Sequence, residues 1–265
     1  MSTIKYALVN DLIDKSHHWI AEPWLKLGAV RFNSIHHVPQ DHVLITIHYA
    51  PWWSPLKEWI ENGNKWIEID YGYWGQNLPR RNTRRVTYCG SHNLKFRDAP
   101  FSRLDKIDPV ASSWKLQRGK HILVIEPQRE MIYQRTNTSL ETWKVNVRTK
   151  IQEFWDGEII WRRKRGSKDP IRWPEFLNQL ENCYGVVGER TMACVEACIL
   201  GYQAYTIDYS LVSLLMGNNL SDILTIKTPD REKWLNHIAW SQFTREEFEN
   251  ESLVAKLTED YQILS

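Results

Sequence analysis

Tyr184-Gly-Val-Val187, then Gly188-Glu-Arg-Thr-Met-Ala-Cys-Val-Glu-Ala-Cys-Ile-Leu-Gly201, then Gln203-Ala-Tyr-Thr-Ile207, is the stretch whose reading decides the fold. The first run is short and apolar and gives way to Gly188, as a buried strand does before a turn. The middle run is rich in small apolar residues and predicts a helix over about 191–200, and the last run predicts a further strand. Strand, helix and strand in quick succession form the unit from which parallel sheets are built. Glu196 stands in the middle of that apolar helix. A carboxylate there costs on the order of several kcal/mol unless it is paired or held by a ligand.

The same grammar extends outward in both directions. Upstream lie the strands His121-Ile-Leu-Val-Ile-Glu126 and Glu158-Ile-Ile-Trp-Arg162, a loop over Pro127 to Asn137, and helices from Ser139 to Trp155 and from Trp173 to Glu181. The first half offers strands at Lys5 to Asn10, Val30 to Asn33, Val43 to His48, Lys65 to Asp70 and Arg85 to Cys89. Helices are predicted from Ser16 to Leu27 and from Pro55 to Asn62. Alternation of this kind predicts parallel α/β layers. Periodicity breaks between Cys89 and about Arg118, around Pro100, Pro109 and Gly119, which marks a junction. The expected organisation is two facing Rossmann-like α/β domains, residues 1–115 and 116–230. A segment 231–265 carries terminal helices at Arg231 to Trp240 and Thr244 to Asn250 that pack back across the junction. Thr244-Arg-Glu-Glu247 has capping-box spacing.

Composition sets limits. The chain of 265 residues is 25% charged and 42% hydrophobic with a net charge of +2, which argues against a purely electrostatic nucleic-acid binder. The charge is uneven, however: Arg80, Arg81, Arg84 and Arg85 form one cluster, and Arg162, Arg163, Lys164, Arg165 and Lys168 another. Fourteen tryptophans are the compositional outlier; indole faces fill cores and also stack on sugars and bases. There is no apolar run long enough to span a bilayer and no signal-peptide pattern at Met-Ser-Thr-Ile-Lys, so a cytoplasmic protein is expected. Cys89, Cys183, Cys194 and Cys198 show no metal-ligand spacing and are expected to be structural.

Parallel sheets bind ligands at the carboxyl ends of their strands. Pro127-Gln-Arg129 and Arg135-Thr-Asn-Thr-Ser139 follow the first strand of the second half, Arg162-Arg-Lys-Arg165 the second, and Gly188-Glu-Arg-Thr191 the third. The free amides of a helix start favour an anion. These groups suggest one site: Thr191 and neighbouring amides on a diphosphate, with Arg129, Arg162 or Lys164 adding charge. Glu196, further along the helix, would reach a ribose, and two bonds to its hydroxyls would offset the desolvation.

Arg190-Thr-Met-Ala-Cys-Val-Glu-Ala-Cys-Ile-Leu-Gly201 followed by a strand resembles the donor-domain element of GT-B glycosyltransferases. The chain is also similar to glycosyltransferase-like proteins of bacteriophages at Ile69-Asp-Tyr-Gly-Tyr-Trp-Gly75, at Arg84-Arg-Val-Thr-Tyr88 with His92-Asn-Leu94, and at Trp234 to Thr244. The resemblance implies a GT-B fold and a nucleotide-sugar donor such as a UDP-sugar. Glu196 becomes the ribose ligand, with Arg190 and Thr191 beside the diphosphate. Many such enzymes carry an earlier glutamate that meets the donor sugar; Glu189 occupies that place only roughly. No cofactor is implied. A metal is not expected, although Glu68-Ile-Asp70 sets two carboxylates on one face of a strand.

A phage origin would make hydroxymethylated bases in double-stranded DNA the acceptor, in the host cytoplasm. Arg80, Arg81, Arg84 and Arg85, with Lys95 and Arg97, would then contact phosphates. Transfer to a surface polysaccharide or a small molecule is the alternative within the enzyme class; a non-catalytic DNA- or protein-binding module on the same scaffold is the alternative outside it. An inverting transfer needs a general base on the acceptor hydroxyl. Asp11, Asp14, His18, His48 and Asp70 stand at strand ends of the first half, and Asp70 leads because it enters a glycine-containing turn; its other reading is a cap on that turn. Trp52, Trp53 and Trp74 are candidates for stacking an acceptor.

Overall fold

The computed structural model describes residues 4–9, 18–47, 54–73, 83–89, 104, 111–163 and 172–250. In chain order its elements are β1 (Lys5–Val9), α1 (His18–Lys26), β2 (Val30–Phe32), β3 (His42–Ile47), α2 (Ser54–Glu61), β4 (Trp66–Tyr71) and β5 (Thr83–Tyr88). There follow β6 (His121–Ile125), α3 (Arg129–Thr136), α4 (Leu140–Gln152), β7 (Glu158–Arg162), α5 (Arg172–Glu181) and β8 (Cys183–Gly188). The chain continues with α6 (Met192–Ile199), β9 (Ala204–Thr206), α7 (Ser213–Met216), α8 (Glu232–Ala239), β10 (Gln242–Thr244) and α9 (Arg245–Glu249). Two units divide the chain: Met1–Lys95 with His237–Ser265, and Phe96–Asn236.

The first unit is built on a six-stranded sheet in the order β10-β5-β4-β3-β1-β2. β2, β1, β3 and β4 are mutually parallel. Because helices cover both faces, β1 and β3 read as nearly continuous apolar runs rather than alternating ones. Tyr6, Leu8, Val43, Ile45, Ile67, Ile69 and Val86 pack on one face with Ile20, Trp24 and Phe248. Ala7, Val9, Leu44 and Trp66 pack on the other with Ile35, Val38, Leu56 and Trp59. The expected all-parallel layer needs correction here. β5 runs antiparallel to β4, and β10 antiparallel to β5. The link from Gly72 to Asn82 falls short of the dozen or more residues that a parallel crossover requires.

β10 carries no periodic signal, since it is only Gln242-Phe-Thr244; its partner Thr83–Arg85 makes it a strand. α9 opens with the capping box read from the sequence. The Glu247 amide donates to Thr244 Oγ1 at 3.3 Å, and the Thr244 amide to Glu247 Oε2 at 2.8 Å. Phe248 then meets Trp19 edge-on at 5.6 Å, which docks α9 on α1.

The second unit holds a four-stranded sheet in the order β7-β6-β8-β9, with every pair parallel. Its strands and the helices α4, α5 and α6 fall where hydrophobic patterning put them. The segment Pro127 to Asn137, expected to be a loop, contains α3. Arg-Glu-Met-Ile-Tyr-Gln-Arg-Thr has no apolar stripe to betray a helix: Ile132 is buried and Tyr133 is 60% exposed. Its end is set by Asn137 at φ 52°, a left-handed position that asparagine tolerates well. α6 ends at Gly201, whose φ of 87° takes it out of the range comfortable for a side chain, and an added Cβ would lie 2.1 Å from the Ser113 carbonyl oxygen. Cys194 and Cys198 within this helix and Cys183 at the start of β8 are buried, and burial raises all three thiols, to about 12 for Cys183 and Cys198. Among the described residues, no helix is long and apolar enough to cross a membrane.

Candidate functional site

In the second unit β6 lies inside the sheet; the chain passes from it to β7 on one side and then to β8 on the other. That reversal puts a topological switch point between the carboxyl ends of β6 and β8, the place where open α/β sheets bind ligands. Gly188 makes the close approach possible. A Cβ there would come within 2.5 Å of Thr191 Cγ2 and 2.7 Å of Cys194 Sγ, so only glycine lets α6 start so near the sheet. Thr191 caps the helix, its hydroxyl accepting from the Ala193 amide at 3.3 Å.

Between strand and helix the backbone turns through Arg190 at φ 45°, a left-handed conformation uncommon for a side chain of this size. Its guanidinium pairs with Asp208 at 2.8 Å. Arg135, from the end of α3, pairs with Glu189, which is 6% exposed and also accepts from the Trp143 indole N–H. Burial lowers the Arg135 pKa, and the positive charge of Arg190 lowers it further. Two guanidinium groups therefore sit near the same helix start, balanced by two carboxylates. The partial positive charge of the helix end, about half an elementary charge, is left over for a ligand.

Glu196 lies five residues past Thr191, about 7.5 Å along the axis at the helical rise. It is 5% exposed and interacts with its surroundings. At the other end of α6, Arg231 donates through Nη1 to the carbonyls of Cys198 at 2.6 Å and Ile199 at 3.2 Å, and it also reaches the Ser112 carbonyl. Both ends of this short helix are thus fixed.

The remaining donor-side candidates have different fates. Arg129 is exposed at the start of α3. Arg162, expected to add charge to the diphosphate, is 7% exposed and committed to α5: it donates to Gln179 at 2.6 Å and pairs with Glu175 at 3.5 Å. Lys164 lies outside the described residues. Glu189, placed roughly by resemblance at the donor sugar, is tied to Arg135 and Trp143 because a buried carboxylate needs such partners. Glu126, at the end of β6, is held by Lys144 at 3.1 Å, and Lys144 also lies 5.1 Å from the Trp161 ring centre. The site reading from sequence placed Arg135 after the first strand without giving it a partner, and it missed Lys144, Trp143, Trp161 and Asp208. Lys144 looks like any solvated helical charge, and Asp208 approaches Arg190 only through the β8–β9 pairing.

In the first unit the polar groups gather at the end of β4. Glu68 and Asp70 share a face of that strand and lie opposite Thr87 and Arg85 of β5. Arg85 Nη2 donates to Asp70 Oδ2 at 2.6 Å and to Glu68 Oε1 at 3.3 Å, and Asp70 Oδ1 accepts from the Tyr71 amide at 2.7 Å. Asp70 is therefore both an ion-pair partner and a local backbone acceptor, with its side chain 26% exposed. Burial pushes the Glu68 carboxyl up to about 8; Arg85 opposes the rise and Asp70 adds to it. Burial works against the Arg85 charge, but Asp70 and Glu68 outweigh it and its pKa ends up raised.

The expected phosphate-contacting strip is corrected at two of its positions. Arg84 and Arg85 are 3% and 6% exposed, inside β5. The Arg84 guanidinium lies 5.2 Å from the Trp19 ring centre and 4.9 Å from that of Tyr71. Arg80, Arg81, Lys95, Arg97, Asp11, Asp14, His48, Trp52, Trp53 and Trp74 fall outside the described residues, as does the His18 side chain. Among the described residues no group of three or more histidine, cysteine, aspartate or glutamate side chains is disposed to hold a metal ion.

No protein-family model matches the chain, and no curated protein matches it. Solved structures do. KpsC β-Kdo 2,7 transferase of Thermosulfurimonas dismutans superposes with a TM-score of 0.53 at 11% identity, covering 96% of this chain and 100% of that one. KpsC β-Kdo 2,4 transferase of the same organism gives 0.51 at 11% identity, covering 92% and 93%. At such identity the likeness is one of fold: the chain has a Rossmann-like, glycosyltransferase-like fold.

Proposed function

We propose that the protein is a glycosyltransferase that takes a sugar from a nucleotide-sugar donor to an acceptor hydroxyl. The observation that carries this reading is α6 itself, a helix starting at the switch point of a parallel sheet, opened by Arg190 and Thr191 and holding the buried Glu196. In this reading the donor diphosphate meets the helix start with Arg190 and Arg135 beside it, and Glu196 accepts hydrogen bonds from the ribose hydroxyls. The positive helix end and guanidinium groups would stabilise charge on the departing nucleotide, work that needs no metal. Asp70 would accept the proton of the acceptor hydroxyl in an inverting transfer.

A saccharide or small-molecule hydroxyl is the preferred acceptor. Arg84 and Arg85 lie inside the fold, which removes two arginines from the strip on which a DNA acceptor depended. Kdo, the sugar that both structural neighbours are named for transferring, belongs in the donor panel for that reason.

Thermal melts with UDP, GDP and CMP, followed by product mass spectrometry with a panel of nucleotide sugars, test the reading. The panel includes activated Kdo, and the acceptors are oligosaccharides and hydroxymethylated duplex DNA. Nucleotide stabilisation that vanishes in Glu196→Ala, with a glycosylated saccharide product, is the expected result. A glycosylated DNA base would reinstate the nucleic-acid acceptor. Absence of nucleotide binding across the panel refutes the enzyme reading in favour of a binding module.

A further inference from the structure

Asp70 has a difficulty as a base, and the structure contains its remedy. An aspartate paired with a guanidinium at 2.6 Å is held in its ionised form and is correspondingly weakly basic. Arg85, however, also serves a second acid. Glu68 lies two residues before Asp70 on the same face of β4, only 2% exposed, with Oε1 on the same Arg85 nitrogen at 3.3 Å. Its Oε2 is buried and makes no hydrogen bond, and neither does the hydroxyl of Thr87, which stands directly opposite Glu68 in the β4–β5 pairing. That is the environment of a carboxyl group that keeps its proton: one oxygen accepts from Arg85 and the other has no donor to favour a charge.

We infer that Glu68 is a positioning residue for the proposed transfer, setting the basicity of Asp70 through the arginine they share. With Glu68 protonated, the full charge of Arg85 falls on Asp70 and damps its basicity. When Glu68 loses its proton to solvent, its negative charge offsets Arg85 and raises the proton affinity of Asp70. The charged and titratable groups that act on Glu68 and Arg85 include Asp70 on β4 and Tyr73 in the turn after β4, whose phenol acts on Arg85. Arg84 and Tyr71 belong to the opposite face of the same strands, where Arg84 feels the charge of Asp70. On β3 the neighbour of Glu68 is Thr46, whose hydroxyl is occupied by the Ile67 carbonyl at 3.3 Å.

This inference rests on the reading of Asp70 as the base, and its test separates the two. Coupling is reciprocal: whatever ionised Glu68 adds to the basicity of Asp70, ionised Asp70 adds to the proton affinity of Glu68. The Glu68 carboxyl is titrated by carbon-13 NMR in the full chain, assigned by the signal lost in Glu68→Gln, and compared with the same titration in Asp70→Asn. The expected result is a Glu68 midpoint near 8 that falls by about one pH unit in Asp70→Asn, equivalent to about tenfold in the basicity of Asp70. Should Asp70→Asn fail to fold, the same coupling is read as a second inflection near pH 8 in the Asp70 carboxyl resonance of the unsubstituted protein.

A Glu68 midpoint unmoved by Asp70→Asn, or an Asp70 resonance without that inflection, overturns the inference whatever the activity. With the nucleotide sugar that turns over in the donor panel, the pH–rate profile should rise about tenfold through pH 8 and lose that step in Glu68→Gln. Full activity in Asp70→Asn overturns the base reading while the measured coupling stands.

Discussion

Replacing Glu68 by glutamine should stabilise the protein progressively as the solution becomes alkaline. The carboxyl is 2% exposed, and burial, partly offset by Arg85, pushes its pKa from 4.5 up to about 8. Between those values the unfolded chain has released a proton that the folded chain keeps, so the folded state loses ground as pH rises. Its contribution is fully present below pH 4.5 and is lost by the time pH passes about 8. At about 1.4 kcal/mol per pH unit the loss across this window is roughly 5 kcal/mol, and relaxation around a buried carboxyl reduces the expectation to about 2 to 5 kcal/mol. That is a large fraction of the roughly 5 to 15 kcal/mol that holds a typical protein folded.

Glutamine has nearly the same shape and no ionisation, so the variant lacks this pH dependence, while titrating groups not coupled to Glu68 cancel in the difference. Urea unfolding followed by tryptophan fluorescence, from pH 5 to pH 9, measures it. The advantage of Glu68→Gln should grow through the window and level off above pH 8. A difference that stays constant, or that favours the wild type increasingly at high pH, would mean that Arg85 keeps Glu68 ionised and would refute the reasoning.

Glu196→Ala should weaken nucleotide binding about 100-fold, the value of two charge-assisted hydrogen bonds, as read by titration calorimetry with the nucleotide that stabilises the fold. Gly188→Ala forces a methyl group to within 2.5 Å of Thr191 Cγ2 and should cost about 1 to 3 kcal/mol in chemical denaturation while also displacing the start of α6. Glu189→Ala leaves the Trp143 indole N–H and Arg135 without their carboxylate; an unfolding free energy lower by about 3 kcal/mol is expected, and a change under 1 kcal/mol would refute the pairing as a source of stability. Thr244→Ala removes the cap of α9 and should lower stability by about 1 kcal/mol, with faster hydrogen exchange confined to Arg245–Glu249 as its signature.

Much of the second unit is legible in the sequence because its signals are local. Val186-Val187, the apolar run through Ile199 and the glycines at 188 and 201 specify strand, turn, helix and stop within a few residues of one another. The capping box at Thr244 is equally local, since both of its hydrogen bonds join residues three apart. By contrast α3 hides in a segment with no apolar stripe, and β10 is too short to show a period.

The same division runs through the candidate site. The sequence by itself determined that Glu196 lies on an apolar helix following Arg190 and Thr191, because chain spacing and helical rise fix that relation. Only the tertiary structure decided that Arg84 and Arg85 are buried, that Arg162 belongs to Gln179 and Glu175, and that Asp70 shares Arg85 with Glu68. Arg162 depends on which helix packs over its strand, and the antiparallel pairing of β5 with β4 joins Arg85 to Asp70 and Glu68 across 15 and 17 residues, where no local periodicity reports it. Burial then chooses among the possible roles of an arginine, since a charge removed from water must find its carboxylate, carbonyl or ring inside the fold.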